Sequence, residues 1–524
     1  MTTQPILIDG EWRQSTGTTA FLAVNPANKQ PLADEFPFSP WGEVEQALKA
    51  ADAAFTAVRD WPGERFAAFL EAYADAIESR TDAIVDLANQ ETGLPVEPRL
   101  KNVELPRTTN QLRQAATAAR DGSWVNATID TATGIRSQLA AIGPVAVFGP
   151  NNFPLAFNSI AGGDFAAAVA AGNPVIAKGH SSHPGTTKLL AEAAHEAAQA
   201  TNMPSGFVQL IYRTSHEDGA KLVSHPLLGA SGYTGSRQAG LVLKTACDRV
   251  GKPIYLELSS VNPVFILPGA LTERLNDLAA EFTTSCLMGA GQFCTNPGIV
   301  VLKAGDQTDN FVSAVANGFA EATPGTLLSG GVEQNFRAGI VALQRAGAEV
   351  ITGNEPADGD RFCYANTLLK VTGDQFLSDP HGLQEEAFGN ASLFVIAADD
   401  DQLTRIAEQF EGNLTGCFYT DTQGSDDALY DRLAPIIRQR VGRLLNDKMP
   451  TGVAVSPAMN HGGPFPATGH PGFTAVGIPA SITRFAMLQS YDNIRPHRLP
   501  PALQDKNPTV MWRRIDGEWT KADV

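Results

Sequence analysis

The spacing of apolar residues divides the chain into a mainly helical first part and a longer part in which strands and helices alternate. In the first part, apolar side chains recur at intervals of three and four residues, which predicts helices near 39–58, 63–78, 81–92 and 102–119. From residue 142 onward, short apolar runs such as GPVAVFGP and NPVIAKG alternate with helical patterns at the length of βαβ crossovers. This alternation predicts a parallel, doubly wound α/β sheet.

A second alternating series begins near residue 253. Its helices are expected near 271–288, 309–320 and 332–346, and its strands near 299–302, 393–396 and 416–419. Residues 121–139 alternate enough to predict a β-hairpin or a projecting arm. From about residue 478, an apolar stretch precedes a Pro-rich tail, which favours a closing strand that pairs elsewhere, with another subunit as one candidate.

Charge and hydropathy exclude several classes of partner. The 524 residues carry a net charge of −17 that is spread along the chain, so neither nucleic acid nor an anionic membrane surface is expected. The start of the chain lacks the basic and apolar regions of a secretory signal. The most apolar window, about residues 160–177, contains Asp164 and the Asn173–Pro174 break, so a buried helix and strand explain it better than a membrane span. We therefore expect a cytoplasmic protein.

The five cysteines are widely scattered and show no CxxC spacing, so neither a disulfide framework nor a metal site is predicted. One of them stands apart. Cys294 lies in the stretch SCLMGAGQFCTNPGIV, where small residues on both sides allow close approach of other backbone and of a substrate. Taken alone, Cys294 is either a buried packing residue or a nucleophile.

Six short motifs give the chain a resemblance to a known family. They are GPNNFP at 149–154, AK at 177–178, YTGSRQAG at 233–240, LELSSVNP at 256–263, GQFC at 291–294 and EEAFG at 385–389. In this order and at these separations they resemble the aldehyde dehydrogenase superfamily over essentially the whole chain.

The resemblance implies an aldehyde dehydrogenase-like α/β fold. A doubly wound cofactor domain would comprise residues 1–120 and 141–256, and an α/β catalytic domain residues 257–460. Residues 121–140 and 478–510 would form a small β oligomerisation arm, and the protein would be a homodimer or homotetramer.

The resemblance also implies three catalytic residues. Cys294 matches the nucleophile, whose thiolate attacks the aldehyde carbon, and Asn152 matches the donor to the resulting oxyanion. Glu257 matches the general base that activates water on the thioester. We expect partial burial to raise the pKa of Glu257 towards neutrality; the alternative is a carboxylate that caps the turn at 259–260.

Cofactor binding is implied for a further set of residues. Gly235 and Ser236 match the helix N-terminus that meets the dinucleotide pyrophosphate, although the chain has no convincing GxGxxG fingerprint. Lys178 matches the lysine that reaches the adenosine ribose. Glu386 and Phe388 match the residues beside the nicotinamide ribose and ring, with a solvated neighbour of Glu385 as the alternative for Glu386.

One departure from the family pattern bears on the choice of cofactor. Ser181 stands where NAD-preferring members often carry a glutamate that binds the ribose hydroxyls. Without that carboxylate, Lys178 and Arg213 could attract a 2′-phosphate. The sequence therefore predicts that NADP is preferred and NAD tolerated.

Four stretches, RTTNQLR at 107–113, SSVNPVF at 259–265, GAGQFCTNPG at 289–298 and MNHGGPFPAT at 459–468, most resemble one subgroup of the family. That subgroup oxidises α-ketoglutaric semialdehyde (2,5-dioxovalerate), a 2-oxo acid with a terminal aldehyde. Arg107 aligns with the helix that lines the family's substrate channel, where its guanidinium would bind the substrate carboxylate; a surface arginine is the alternative. Phe157 is expected to line the same channel. His461, in a Gly/Pro-rich loop, would close over the site and favour the thiolate, or would only bond to backbone.

Other functions stay open at this point. A broad-range or fatty aldehyde dehydrogenase would differ only in the lining of its channel, and a CoA-acylating relative would not need Glu257. An inactive binding member of the fold would not need Cys294, Glu257 and Asn152 together. An unrelated cysteine hydrolase would leave the βαβ series unexplained.

Overall fold

The computed structural model describes residues 3–357 and 359–524, and its regular elements follow the predicted alternation. The α-helices in these residues are α1 (Trp41–Val58), α2 (Gly63–Glu78), α3 (Thr81–Thr92), α4 (Leu105–Asp121), α5 (Gly163–Ala170), α6 (Pro184–Ala200), α7 (His216–Val223), α8 (Arg237–Asp248), α9 (Pro268–Leu287), α10 (Asp306–Glu321), α11 (Gly330–Arg345), α12 (Gly373–Ser378), α13 (Asp400–Glu408) and α14 (Asp427–Arg438).

The strands are mostly short and lie between the helices. They are β1 (Ile6–Ile8), β2 (Glu11–Arg13), β3 (Ala20–Asn25), β4 (Gln30–Pro37), β5 (Thr128–Ile129), β6 (Arg136–Ala141), β7 (Val145–Phe148), β8 (Val175–Lys178), β9 (Val208–Ile211), β10 (Ala230–Thr234), β11 (Ile254–Glu257), β12 (Val264–Ile266), β13 (Ile299–Lys303), β14 (Glu349–Thr352), β15 (Thr367–Thr372), β16 (Ala391–Ala397), β17 (Asn413–Tyr419), β18 (Val441–Asn446), β19 (Ala486–Tyr491), β20 (Arg513–Ile515) and β21 (Glu518–Thr520).

The first sheet has the order β11-β10-β7-β8-β9-β1-β2. Its five strands from β11 to β9 are parallel, and the N-terminal hairpin β1–β2 extends it with antiparallel pairing. The central strands are almost wholly buried, because helices cover the sheet on both faces. The predicted doubly wound sheet is confirmed, and the carboxyl ends of β8, β10 and β11 meet at one edge of it, where Lys178, Gly235 and Glu257 lie.

The second sheet has the order β14-β15-β16-β13-β12-β17-β18 and is parallel except for the edge strand β14. It begins with β12, soon after Glu257, and ends with β18 at Asn446. Residues 447–485 then return to the first sheet, where Thr468 forms an isolated bridge with Glu257. Glu257 is therefore held between the end of one sheet and a loop that leaves the other.

A third sheet of five strands, in the order β19-β6-β5-β20-β21, contains the predicted hairpin. Its strands β20 and β21 lie beyond residue 510, so the expected arm of 121–140 and 478–510 is too short at its C-terminal end. The Pro-rich tail is held by Arg513, which is fully buried and donates to the carbonyl oxygens of Asp505 and Ala522 at 3.0 and 2.9 Å. Buried carbonyl groups require such donors, and the guanidinium supplies several at once.

Local signals decided where the predicted helices begin and end. Helices α2 and α3 coincide with the predicted 63–78 and 81–92, and α3 ends at Gly93, which adopts the left-handed conformation at φ 66°. Helix α4 was expected from about residue 102 but begins at Leu105, with Pro106 in its first turn, after an irregular turn over Val96–Glu104. No helix within the described residues is long and apolar enough to cross a membrane.

Candidate active site

Cys294 lies in a tight turn between α9 and β13. The three residues before this turn, Gly289, Ala290 and Gly291, all have positive φ, and a Cβ at Gly291 would lie 2.0 Å from the carbonyl oxygen of Gly389. The side chain of Gln292 ties the turn to the loop at 326–328 by hydrogen bonds of 2.8 and 3.1 Å. Cys294 itself stays partly exposed, unlike the four other cysteines, which are buried. It is therefore presented on a fixed turn and not packed in a core.

The thiol of Cys294 faces a histidine and a carboxylate. Its Sγ lies 3.4 Å from His461 Nε2, and the same nitrogen lies 2.9 Å from Glu257 Oε1. Glu257 and His461 are both buried, at 4% and 2% exposure. The side chain of His461 thus reaches both catalytic residues, which excludes the alternative that it is only a loop histidine bonded to backbone.

The hydrogen bonding among Cys294, His461 and Glu257 depends on the one hydrogen that His461 Nε2 can carry. An imidazole nitrogen carries at most one hydrogen, and a carboxylate is a better acceptor than a thiol, so the N–H points to Glu257. The second oxygen of Glu257, Oε2, has no protein partner among the described residues and is free to accept a proton from water. In this arrangement His461 does not yet accept the thiol proton.

The expected rise in the pKa of Glu257 is wrong. Burial does act to raise the pKa of this carboxyl, but the charge and the hydrogen bond of His461 outweigh it, and the pKa lies below its usual value. The pKa of Cys294 moves the other way: burial and the neighbouring charge of Glu257 raise it well above its usual range. The resting proton is therefore on sulfur, and the carboxylate is ionised.

The predicted oxyanion donor lies beside the thiol turn. Asn152 is buried, and its side-chain nitrogen donates to the carbonyl oxygen of Gln292 at 3.0 Å, two residues before Cys294. The second hydrogen of this amide is available to a substrate oxygen. The structure thus brings Asn152, Cys294 and Glu257 together as the resemblance implied.

Side chains that the sequence did not single out fix the loop that carries Asn152. Arg99 donates to the carbonyl oxygen of Asn152 at 3.0 Å and forms an ion pair with the buried Glu104. The other oxygen of Glu104 accepts from the backbone N–H groups of Leu155 and Ala156 at 2.8 and 3.0 Å. From the opposite side, His183 Nε2 lies 2.9 Å from the carbonyl oxygen of Pro150. The signal for this arrangement in the sequence was Glu104, an acidic residue directly before the apolar pattern of helix α4.

Two asparagines join the segment after Glu257 to the Cys294 turn. Asn262 has a φ of 46°, and its side chain donates to the carbonyl oxygens of Cys294 and Asn296, each at 2.9 Å. Asn413, at the start of β17, accepts from the backbone N–H groups of Val261 and Asn262 at 2.8 and 3.0 Å. The second sheet therefore helps to set the distance between Glu257 and Cys294.

The predicted cofactor residues line the carboxyl edge of the first sheet. Ser236 is the N-cap of α8, and Gly235 donates to the carbonyl oxygen of Glu257 at 3.1 Å. A Cβ at Gly235 would lie 2.7 Å from the hydroxyl of Tyr233, so the backbone can pass here only without a side chain. The first N–H groups of a helix have no partner within the helix, so the start of α8 has donors that suit an anion such as a pyrophosphate.

The surroundings of Lys178, at the end of β8, indicate whether a dinucleotide fits the carboxyl edge of the first sheet. Burial and the nearby charge of Arg213 lower the pKa of Lys178 to about 8, and no carboxylate within residues 3–357 and 359–524 opposes that change. A partly buried cation without an acidic partner fits a ligand that brings hydroxyl or phosphate oxygens. The residues present therefore fit a dinucleotide.

Ser181 follows this lysine after β8, and Arg213 follows β9, the neighbouring strand of the same sheet. Ser181 is half-buried in the loop before α6, and Arg213 is exposed, with its guanidinium 4.8 Å from the ring centre of Phe38. In the same loop, the ring of His180 stacks on His183 at 5.2 Å between centres. Burial and the charge of His183 hold the pKa of His180 well below its usual range, so His180 adds no charge here.

Glu386 and Phe388 line a cleft that reaches the turn of Cys294. Ser260, Val261 and Phe293 complete the same cleft on the side of the thiol. Burial raises the pKa of Glu386 to about 7, although Ser259 and Ser260 hydrogen bond to it. Glu386 is thus bonded and half-buried, unlike the exposed Glu385, so the alternative of a solvated neighbour is wrong.

The predicted substrate residues meet in an apolar cluster on the other side of Cys294, built mainly from Phe153, Phe157 and Phe293. Phe157 lies 6.0 Å from the ring of His461, and the guanidinium of Arg107 lies 5.2 Å from the ring of Phe157. Arg107 donates through Nη1 to the carbonyl oxygen of Val453 at 2.8 Å. Its Nε and Nη2 are buried and have no protein partner among the described residues. Arg107 is therefore not the surface arginine of the alternative interpretation.

A second half-buried arginine, which the sequence analysis missed, approaches the same region. Arg443, in β18, donates to the carbonyl oxygens of Pro450 and Gly452 at 3.1 and 3.2 Å, and its Nη1 lies 3.8 Å from the sulfur of Met459. Burial lowers the pKa of Arg443, and the nearby Cys294 opposes that change. An arginine inside the strand pattern VGRLLN was the signal that could have shown it.

Comparisons with known proteins agree with this geometry. Residues 12–441 match the model of the aldehyde dehydrogenase family. The chain is 41% identical to alpha-ketoglutaric semialdehyde dehydrogenase 2 of Azospirillum brasilense over 96% of this chain and 97% of that protein. It is 36% identical to alpha-ketoglutaric semialdehyde dehydrogenase of Acinetobacter baylyi over 98% of each.

Solved structures show the same fold at lower identity. A mutant of aldehyde dehydrogenase C from Pseudomonas syringae, solved with NAD+ and octanal, superposes with a TM-score of 0.80 at 19% identity over 95% of this chain and 98% of that one. Lactaldehyde dehydrogenase from Escherichia coli gives a TM-score of 0.80 at 22% identity, over 93% of this chain and 98% of that one.

Replacing Glu257 with Gln tests the charge that raises the pKa of Cys294. Since the carboxylate disfavours the thiolate, Glu257→Gln is expected to shift the pH midpoint of Cys294 alkylation downward and to speed alkylation at neutral pH. The measurement is the rate constant for reaction with iodoacetamide across the neutral and alkaline range. Glu196→Gln, at an exposed carboxylate of α6, is the control. Slower alkylation of Glu257→Gln at every pH would show instead that Glu257 deprotonates the thiol.

Proposed function

Since the chain belongs to the aldehyde dehydrogenase family, we propose that it oxidises 2,5-dioxovalerate to 2-oxoglutarate with NADP as the preferred cofactor. The main support for the proposed substrate is Arg107. Its Nε and Nη2 atoms are buried and have no protein partner in the part of the chain that the structure describes. A buried donor without an acceptor costs about 1–3 kcal/mol, so a ligand that supplies a carboxylate there is favoured. Two relatives with α-ketoglutaric semialdehyde in their names support the same substrate.

Acylation begins at Cys294. The thiol of Cys294 loses its proton to solvent, and the thiolate attacks the aldehyde carbon while the carbonyl electrons move to oxygen. His461 Nε2, at 3.4 Å from the sulfur, donates its N–H to the thiolate once it turns away from Glu257. The negative charge that forms on the substrate oxygen is held by the amide of Asn152 and by the backbone N–H of Cys294. When bound, the nicotinamide supplies the acceptor for the hydride. The fixed turn keeps sulfur and donor aligned throughout.

Deacylation uses Glu257. Its ionised carboxylate accepts a proton from a water molecule, which then attacks the thioester carbon and releases the carboxylate product. Glu257 and His461 also line a cavity with Asp164, Tyr255 and Arg484, which gives space for water behind the carboxylate. A base for water distinguishes this reaction from transfer of the acyl group to CoA.

The substrate carboxylate would lie between the two half-buried arginines. Arg107 approaches from α4, beside the ring of Phe157, and Arg443 approaches from β18. Their positive charge would attract the carboxylate of an acid substrate towards the thiol. A fatty aldehyde has no group to satisfy Arg107, so a long-chain substrate is disfavoured.

Substitution of Arg107 tests the substrate. Loss of a charge-assisted hydrogen bond costs about 1.5–3 kcal/mol, so Arg107→Ala is expected to lower kcat/KM for 2,5-dioxovalerate roughly 10- to 100-fold, mainly through KM. Pentanal, which has the same chain length and no acid group, is expected to change little. The wild-type enzyme is expected to prefer 2,5-dioxovalerate to succinic semialdehyde and to a long-chain aldehyde.

Arg113→Ala is the matched control for this experiment. Arg113 lies on the exposed face of the same helix and pairs with Asp75 and Glu78. Equal losses for pentanal and for the oxo acid in Arg107→Ala would contradict the carboxylate contact. A wild-type preference for the long-chain aldehyde would contradict the proposed substrate as a whole.

The proposed NADP preference rests on charge around the adenosine ribose. Lys178 and Arg213 are cations, and Ser181 leaves a 2′-phosphate unopposed. Ser181→Glu is expected to lower kcat/KM for NADP by at least about tenfold and to leave kcat/KM for NAD nearly unchanged, because only NADP brings a like charge. Steady-state kinetics with both cofactors measure the change, and a strong wild-type preference for NAD would contradict the proposal.

We also propose that the protein is a homodimer or homotetramer through the third sheet. Strand β19 is the outer strand of that sheet and exposes Met487 and Leu488, at 46% and 65%. An exposed apolar edge strand is a template for pairing with another chain.

Substitution in β19 tests the assembly. Leu488→Arg is expected to shift the protein to a smaller species, because a charge at the edge strand opposes pairing. Light scattering after size exclusion gives the mass. Val341→Arg, at an exposed apolar residue of α11, is expected to leave the mass unchanged. An unchanged mass in Leu488→Arg, or a monomeric wild type, would contradict the proposal.

A further inference from the structure

Three possible metal ligands converge at the catalytic thiol. The Sγ of Cys294, the Nε2 of His461 and a carboxylate oxygen of Glu257 all lie within 4.8 Å of one another. They come from three distant segments: the end of β11, the turn before β13 and the loop at 461–475. Because these segments are far apart in the sequence, the lack of a metal-ligand spacing pattern is no argument against a metal site in the folded protein.

The distances suit a tetrahedral ion. Zinc binds sulfur at about 2.3 Å and imidazole nitrogen at about 2.0–2.1 Å, which places neighbouring ligand atoms about 3.4–3.6 Å apart. Cys294 Sγ and His461 Nε2 are 3.4 Å apart, as this geometry requires. His461 Nε2 and Glu257 Oε1, at 2.9 Å, would have to separate by about 0.5 Å, since their hydrogen bond is lost when a metal replaces the proton.

The charges and the unused acceptor also favour a cation. Glu257 Oε2 is buried and has no protein partner among the described residues, and a bound cation would satisfy this carboxylate. Thiolate and carboxylate together carry two negative charges, which a divalent ion neutralises. The guanidinium of Arg107, 5.2 Å from the ring centre of Phe157, is a nearby positive charge that lowers the affinity for a cation.

We propose that Cys294, His461 and Glu257 form a zinc-binding site through which Zn2+ reversibly inhibits the enzyme. Thiolate and imidazole ligands select zinc over magnesium or calcium, which prefer oxygen ligands alone. Three protein ligands leave a fourth position for water. Inhibition follows because the sulfur electron pair that would attack the aldehyde is donated to the metal. Glu257 and His461 are bound to the same metal and cannot act on water or on the thiol. The inhibition rests on the proposed role of Cys294; the binding does not.

Binding is an exchange of protons for the metal. The thiol of Cys294 loses its proton to solvent as the sulfur–zinc bond forms. The Nε2 proton of His461 is exchanged through solvent for one on Nδ1, which frees the Nε2 lone pair for the metal. No electron is transferred, and a chelator reverses the reaction. The apparent affinity therefore rises with pH.

Cobalt reports the site directly in the full-length enzyme without cofactor. Co2+ added to the wild type is expected to give a thiolate-to-cobalt charge-transfer band and the visible bands of a tetrahedral ion, and Zn2+ is expected to displace both. Cys294→Ser is expected to lose the charge-transfer band. His461→Gln is expected to bind Zn2+ at least about tenfold more weakly, since even loss of a group that only supports a metal ligand costs about 10–100-fold.

His195→Gln is the control, because His195 lies on α6 far along the chain from the site and bonds to Gln199. Circular dichroism checks that each variant folds. A wild type without the charge-transfer band, or an unchanged zinc affinity in His461→Gln, would overturn the site. A full rate of aldehyde oxidation with zinc bound would overturn the inhibition. Failure of the proposed substrate would appear separately, as poor turnover of 2,5-dioxovalerate in the absence of added metal.

Discussion

The hydrogen bond between Glu257 and His461 is the interaction on which the site depends. It is 2.9 Å long, both side chains are buried, and it joins the end of the first sheet to a loop 204 residues further along the chain. A buried ionised carboxylate is costly unless it is paired, so this bond stabilises both the charge and the position of the loop. Because the same histidine nitrogen also lies 3.4 Å from Cys294, the contact that fixes Glu257 also sets the surroundings of the thiol.

Around this contact, the fold keeps the reacting groups on rigid supports. Asn262 and Asn413 fix the Cys294 turn to the segment after Glu257, while Arg99 and Glu104 fix the loop of Asn152. Each support is a buried side chain that satisfies backbone groups of a loop, which would otherwise lie unpaired inside the protein. Irregular backbone can therefore carry the chemistry without the mobility that loops usually have.

The sequence predicted what depends on local pattern and missed what depends on distant partners. Helices α2 and α3 follow from period and capping, and the βαβ series follows from alternation. Cys294, Glu257 and Asn152 were found through motifs, and the structure brings them together. The pKa of Glu257 was predicted in the wrong direction because burial was weighed without His461. Arg443 and the strands β20 and β21 were missed because a single arginine in a strand and two very short strands carry little periodic signal.

The opposite pKa shifts of Glu257 and Cys294 have one origin and a consequence for the resting enzyme. Two acids and one histidine share a buried space, so ionisation of the carboxyl opposes ionisation of the thiol, and the two titrate as a coupled group. The histidine stabilises whichever anion it contacts more closely, which at 2.9 against 3.4 Å is the carboxylate. A small movement of the imidazole towards sulfur would reverse this preference. The protonated thiol is then the less reactive state, protected from oxidation and alkylation until His461 leaves Glu257.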